Sequence, residues 1–352
     1  MSTSPGQTVA DLGEHAVIER IRARTPAAPS WVSIGMGYDA AVIEPARNRA
    51  EVITTDAFVE GVHFDRAYVP AAAIGHKALA VNLSDLAAMG AEPRAALLSL
   101  VLPGAMPVVE FDAMIGGWLA LAHRYDVTLI GGNVSRSPGP LVLDVTAMGA
   151  VKPRRVLARE GAKPGDSIYV SGCVGASYAG YLSRRRAGAT PPEAAPGLEG
   201  QPTGDRALDE CAARFLQPDP RVRLWLLLGR NCVASSCVDL SDGLGDAVRQ
   251  VTGASGVGAE IDGDAIPVPE AARRWFEEQE GLDALEAAVS GGEDYELLFT
   301  VPARRRRALA SVLPLTGGLP CTRIGTITAD RSLVLTRRGA KAALPAGFTH
   351  FR

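Results

Sequence analysis

The chain has 352 residues, of which 47% are hydrophobic and 21% charged, with a net charge of −3. That length allows two ordinary domains with a sizeable core, and the charge gives no bulk electrostatic case for nucleic acid or an anionic membrane as partner. The five cysteines, Cys173, Cys211, Cys232, Cys237 and Cys321, are odd in number and form no CxxC pair, which excludes a disulfide framework and a zinc knuckle and points to free thiols in a reducing cytoplasm.

Met1–Gln7 is polar and lacks the basic-then-apolar order of a signal peptide. Every apolar run is interrupted by Pro, Gly or a charge before it could span a bilayer. The first predicted helix covers Asp11–Arg24, with Val17, Ile18 and Ile21 on its apolar side. Strands are predicted over Ala40–Glu44 and Glu51–Thr55, with Asp39 before the first and Asp56 after the second. Ala71–Met89 then reads as a helix whose Leu79, Leu83 and Leu86 form a buried face, with Gly90 as its stop. Asn82 and Asp85 share one stripe beside that face. A strand over Arg94–Leu102 stops at Pro103-Gly104. Pro107 opens a helix with Phe111, Met114, Ile115, Trp118 and Ala122 on one side. A short strand, Val127–Ile130, runs into Gly131-Gly132-Asn133, and another covers Leu141–Val151.

Turn chemistry at Gly161-Ala-Lys-Pro-Gly-Asp166 marks a break between two domains, expected at 1–153 and 154–352. Beyond it come a strand over Ser167–Ser171 and a Pro-, Gly- and Ala-rich loop over Arg184–Gly204. A strand at Val233–Val238, a helix from Asp242 to about Val251, and strands at Glu296–Val301 and, last, Arg323–Thr328 follow. The alternation of helices and strands gives an α/β or α+β fold class. Asn82-Leu-Ser-Asp85 and Asp239-Leu-Ser-Asp242 hint at an internal repeat, although four residues cannot establish one.

The residues that can carry chemistry are Asp39, Thr54, Thr55, Asp56, Asp85, Asp239, Ser241, Asp242, Glu293 and Asp294. Turns and caps are the ordinary use of Asp and Ser. Most of these residues, however, adjoin a strand end or a glycine, where sites on such folds are built. Carboxylates and hydroxyls are hard oxygen donors that suit Mg²⁺, and Mg²⁺ bridges to substrate phosphates. Phosphoryl or nucleotide chemistry is therefore expected. The P-loop pattern and the protein-kinase motifs are both missing from the sequence. Arg136 and Arg159 could reach a phosphate or could be surface charges.

Five segments occur in order: Thr54-Thr-Asp with Glu60-Gly-Val-His63-Phe64; Asn82-Leu-Ser-Asp-Leu-Ala-Ala-Met-Gly-Ala-Glu-Pro93; Arg159-x-Gly-Ala-x-Pro-Gly-Asp166; Asp239-Leu-Ser-Asp-Gly-Leu244; and Gly291-Gly-Glu-Asp-Tyr-Glu-Leu-Leu-Phe299. From about Gly13 to Phe351 the chain thereby resembles the thiamine-monophosphate kinase family, within the wider aminoimidazole ribonucleotide synthetase-like group. The resemblance implies transfer of a phosphoryl group from ATP to thiamine phosphate. It implies an N-terminal domain that pairs in a homodimer through a shared β-barrel, and a C-terminal α+β domain. It places metal ligands at Asp39, Thr54, Thr55, Asp56, Asp85, Asp239 and Asp242, with Asp85, Asp56 and Asp242 as catalytic acids. It assigns nucleotide contacts to Gly132, Asn133, Arg159 and Ser241, and thiamine-phosphate contacts to His63, Glu293 and Phe348. The chain departs from the family pattern at Tyr38, where the family has Asp, and at Asn133, where a neutral amide replaces a metal-ligand carboxylate. Two other readings stay open: a binding relative with weakened catalysis, and a related ATP-using synthetase for another small substrate.

Overall fold

The computed structural model describes residues 6–188 and 204–348. They divide into two compact units. The first takes the chain up to Leu86 and Glu92–Val151. The second takes Ala87–Ala91, Lys152–Arg186 and the described residues from Gly204 onward.

The first unit begins with two short helices, α1 (Val9–Leu12) and α2 (Glu14–Arg22), where one was expected over Asp11–Arg24. Asp11 and Thr8 cap each other around α1, and Gly13 (φ 75°) breaks the path before α2 starts. A small antiparallel pair, β1 (Val32–Ile34) and β2 (Val42–Ile43), follows. The main sheet is built from β3 (Ala50–Val59), β4 (Glu92–Pro103), β5 (Thr128–Ser137) and β6 (Val142–Val151), in the order β3-β6-β4-β5. It is an open sheet; among the described residues it closes no barrel. Between β3 and β4 runs α3 (Ala71–Ala88), and α4 (Val108–Arg124) links the parallel pair β4 and β5.

Helix α3 was expected to bury one face. It is instead buried on nearly every side, including Leu79, Leu83, Leu86, Asn82 and Ser84. Close helix packing explains this: a Cβ on Gly75 would lie 1.8 Å from the Met114 carbonyl oxygen, and one on Gly117 would lie 1.9 Å from that of Ala72. Only glycine lets the backbones of α3 and α4 approach so closely. The expected apolar side of α4, from Phe111 through Trp118 to Ala122, is buried as read.

Two strands outrun their expected ends. β3 continues through Asp56 because β6 pairs with it residue for residue up to Val59↔Val142. Asp56 therefore sits inside a strand. β5 passes through Gly131-Gly132-Asn133, held to β4 as far as Pro103↔Ser137. In both cases ladder pairing outweighs the local turn preference.

In the second unit β7 (Ser167–Ser171) leads into α5 (Ala176–Ala187), so the loop expected from Arg184 starts later; residues 189–203 of it lie outside the described residues. Next come α6 (Arg206–Leu216), α7 (Val222–Arg230), β8 (Ser236–Asp239), α8 (Leu244–Ser255) and β9 (Gly258–Asp262). The chain continues through α9 (Glu270–Arg274), α10 (Ala284–Ser290), β10 (Leu297–Val301), α11 (Arg306–Val312) and β11 (Cys321–Thr328). β11 was expected to be the last strand, but β12 (Leu333–Arg337) and β13 (Ala340–Ala343) extend the sheet past β9. The strand order is β13-β12-β9-β11-β7-β10-β8. Ile168, Val170, Ile261, Leu298 and Ile324 from its strands pack with Val248, Phe276 and Val289 from its helices in one core. The hinted repeat does not survive: Asn82–Asp85 is helical, whereas Asp239–Asp242 is a strand end and the loop after it. All five cysteines are free. No helix among the described residues is long and apolar enough to cross a membrane.

Candidate functional site

In the first unit, α3 brings Asp85 onto β3. The Thr54 hydroxyl donates to the Asp85 carboxylate at 2.5 Å. Asp56 lies two residues along the same face of β3. Burial, the negative charges of Asp85 and Asp144, and a hydrogen bond with Asp85 push the Asp56 carboxyl up to about 6. Like charges held together in a half-buried place are a hallmark of functional sites, because folding alone would avoid them.

The opposite face of the sheet carries a second group. Asn133 pairs with Ser99, Ser99 with Asp144, and Asp144 with Ala57, so the four form one row across β5, β4, β6 and β3. Thr55 is on this face as well, its hydroxyl 3.3 Å from Asp144 and 3.2 Å from the Thr146 hydroxyl. The structure thus gathers Thr54, Asp56 and Asp85, and places Thr55 and Asn133 on the other side of the sheet. The Asn133 amide donates to Ser135 at 2.9 Å, and Gly132 is exposed beside it. Asp39 is exposed in the turn before β2, next to an exposed Tyr38. Half-buried His63 follows β3; its Nδ1 accepts from the Val59 N–H at 3.0 Å and its ring stacks 5.7 Å from Phe58.

In the second unit, Asp239 ends β8 and is buried, while Ser241 and Asp242 occupy the half-buried loop before α8. Three backbone bonds tie other segments to this loop. Glu293 N–H donates to the Ser241 carbonyl (2.6 Å), Tyr295 N–H to that of Leu240 (3.0 Å), and Phe348 N–H to that of Asp242 (3.0 Å). Ser241, Asp242, Glu293 and Phe348, far apart in sequence, are therefore neighbours. Phe348 is 54% exposed, as a ligand-facing ring would be. Arg159 is exposed, and its carbonyl accepts from Ser255.

The sequence reading missed two acids. Asp144 stands in the apolar strand β6, where an acid at an alternating position was the available signal. Glu296 is fully buried on β10's edge and binds Ser171 (2.6 Å), Arg221 (2.7 Å) and Arg214 (3.2 Å). Among the described residues no group of three or more His, Cys, Asp or Glu is gathered so as to hold a metal ion by itself.

Comparisons with known proteins identify the family. Residues 37–151 match the family model "AIR synthase related protein, N-terminal domain", and residues 163–338 match its C-terminal counterpart. The thiamine-monophosphate kinase of Salmonella typhimurium is 38% identical over 343 residues, covering 96% of this chain and 98% of the relative. The solved thiamine-monophosphate kinase of Stenotrophomonas maltophilia superposes with a TM-score of 0.78 at 38% identity, over 92% of this chain and 96% of that one. A solved AaThiL complexed with AMPPCP and TMP gives a TM-score of 0.73 at 30% identity, over 99% and 100% of the two chains. The chain therefore belongs to the AIR synthase related proteins and, within them, to the thiamine-monophosphate kinase family.

Proposed function

We propose that this protein transfers the terminal phosphoryl group of ATP directly to thiamine phosphate, giving thiamine diphosphate and ADP. The observation that carries the reading is the Thr54–Asp56–Asp85 group, crowded oxygen donors on a rigid strand and helix, in a chain 38% identical to named thiamine-monophosphate kinases. The solved relative complexed with AMPPCP and TMP supports it.

The donor set fits Mg²⁺, which commonly takes one or two carboxylates from a protein and completes its shell with water and substrate phosphates. Asp39, Thr54, Thr55, Asp56, Asp85, Asp239 and Asp242 are the candidate ligands of several such ions, with Thr54, Asp56 and Asp85 as one group and Asn133 as a neutral oxygen donor. When bound, Mg²⁺ neutralises polyphosphate charge. Gly132, Asn133, Arg159 and Ser241 bind the nucleotide. His63, Glu293 and Phe348 bind thiamine phosphate; an aromatic face and a carboxylate suit its cationic ring. The acceptor oxygen belongs to a phosphate already ionised near neutral pH, so the chain needs to align it rather than deprotonate it. Asp85, Asp56 and Asp242 are the acids on which transfer depends.

The working protein is a homodimer in the cytoplasm, its subunits sharing a β-barrel built from residues 1–153, with 154–352 as the α+β domain. In support, the ten-residue strand β3 is an edge of its sheet and carries Ile53, 64% exposed; long apolar edges invite pairing. Sedimentation as a stable monomer at micromolar concentration would remove the dimer.

The decisive assay supplies purified protein with ATP, Mg²⁺ and thiamine phosphate. Thiamine diphosphate and ADP should form one for one. ADP without thiamine diphosphate would indicate a related synthetase acting on another acceptor, and no turnover a binding relative.

A further inference from the structure

Asp294 has no assigned role, yet it stands between two non-glycine residues of left-handed backbone. Glu293 before it has φ 67° and Tyr295 after it φ 48°. Residues other than glycine rarely take this left-handed conformation, and it persists where surrounding contacts over-determine it. Those contacts are visible on both sides. On one side, the N–H groups of Glu293 and Tyr295 are bound by the carbonyls of Ser241 and Leu240. On the other, the buried Asp294 carboxylate accepts from the Gly175 N–H at 2.7 Å and from the Ser177 N–H at 3.0 Å. One carboxylate oxygen serves each donor, so the side chain bridges the loop to the first turn of α5. Gly175 is packed too closely for a side chain: with φ 82°, an added Cβ would lie 2.6 Å from that of Ala288.

We propose that Asp294 is a positioning residue. By clamping its loop to the start of α5 it keeps Glu293 in the left-handed conformation and so sets the affinity for the acceptor substrate. The inference rests on the reading of Glu293 as a thiamine-phosphate contact. Burial pushes the Asp294 carboxyl up to about 7, while the two N–H groups pull the other way.

The test compares Asp294→Ala, Asp294→Asn and Glu293→Gln, each alone, and Asp294→Ala combined with Glu293→Gln. KM for thiamine phosphate, KM for ATP, kcat and Tm are measured for all. Asp294→Ala should raise KM for thiamine phosphate about tenfold and leave KM for ATP within about twofold. Asp294→Asn keeps one acceptor oxygen and should fall between Ala and the parent, which preserves the test if the Ala protein does not fold. In the double variant the two effects should not multiply, because both act through one contact. Equal rises in both KM values accompanied by a lower Tm would show a merely structural role and overturn the proposal. So would a parent-like KM for thiamine phosphate in both Asp294 variants while Glu293→Gln raises it. A parent-like KM in Glu293→Gln would instead overturn the premise about Glu293, whatever Asp294 does.

Discussion

Two buried or half-buried groups of carboxylates differ in what surrounds them. In the second unit, Glu296 is met by two guanidinium groups and a hydroxyl, and Asp294 by two backbone N–H groups. In the first unit, Asp56 is met by Asp85 and Asp144, whose charges oppose its ionisation. A buried charge compensated by the chain's own donors is architecture, and it punishes the loss of a partner. A carboxylate crowded by others gains when a cation arrives from outside. The contrast separates residues that hold the protein together from residues that hold a ligand.

Paired substitutions give the largest effects and can break this contrast. Asp85→Asn should lower kcat at least about a hundredfold with the circular-dichroism spectrum and Tm retained. Arg221→Ala, which strips a cation from fully buried Glu296, should cost about 3 kcal/mol of stability in a urea titration. If Asp85→Asn unfolds the protein, or Arg221→Ala leaves stability intact, the division between site and scaffold is misplaced.

A smaller effect sharpens it. The Asp56 carboxyl is raised in the folded, metal-free protein to about 6, against about 3.9 in an unfolded chain. The native state therefore binds the proton more tightly. The stability this gives is fully present below about pH 3.9 and is lost as pH rises through about 6. In EDTA, Asp56→Asn should thus gain on the parent as pH increases, reaching a Tm about 2 °C higher at pH 8 while losing turnover. A Tm difference independent of pH would show that the crowding of Asp56 is not felt.

The smallest expected change concerns the opposite face of the sheet. Asn133→Asp should lower the Mg²⁺ concentration for half-maximal rate about threefold at saturating ATP and thiamine phosphate, with Tm unchanged. Asp144 shares a row with Asn133, and Asn133→Asp adds a second acid to it. An unchanged or higher half-saturation would mean that position 133 takes no part in holding metal.

Much of this was legible in the residues. Phe111, Met114, Ile115 and Trp118 repeat at helical spacing, and that repeat marked the buried side of α4. Acids and hydroxyls without clustered His or Cys raised the expectation of hard-oxygen chemistry, and three of them, Thr54, Asp56 and Asp85, do lie together. The ends of β3 and β5 were not legible, because local preference marks turns at glycine and Asp whereas hydrogen bonds from β6 and β4 carry the strands on. Nor was the burial of α3 on nearly all sides, since it depends on α4 approaching Gly75.

By itself the sequence determined which side chains are available: the order of its motifs, the oxygen character of its donors, and the α/β alternation that assigns them to strands, helices and loops. Local pattern suffices for that, because spacing along the chain sets which residues share a face. Only the tertiary structure decided who meets whom. It set Asp85 of α3 against Thr54 of β3, and joined Ser241, Glu293 and Phe348 across a hundred residues of chain. It also set Asp294 against the first turn of α5. Those meetings follow from strand register and backbone pairing, which are long-range and leave no local mark in the sequence.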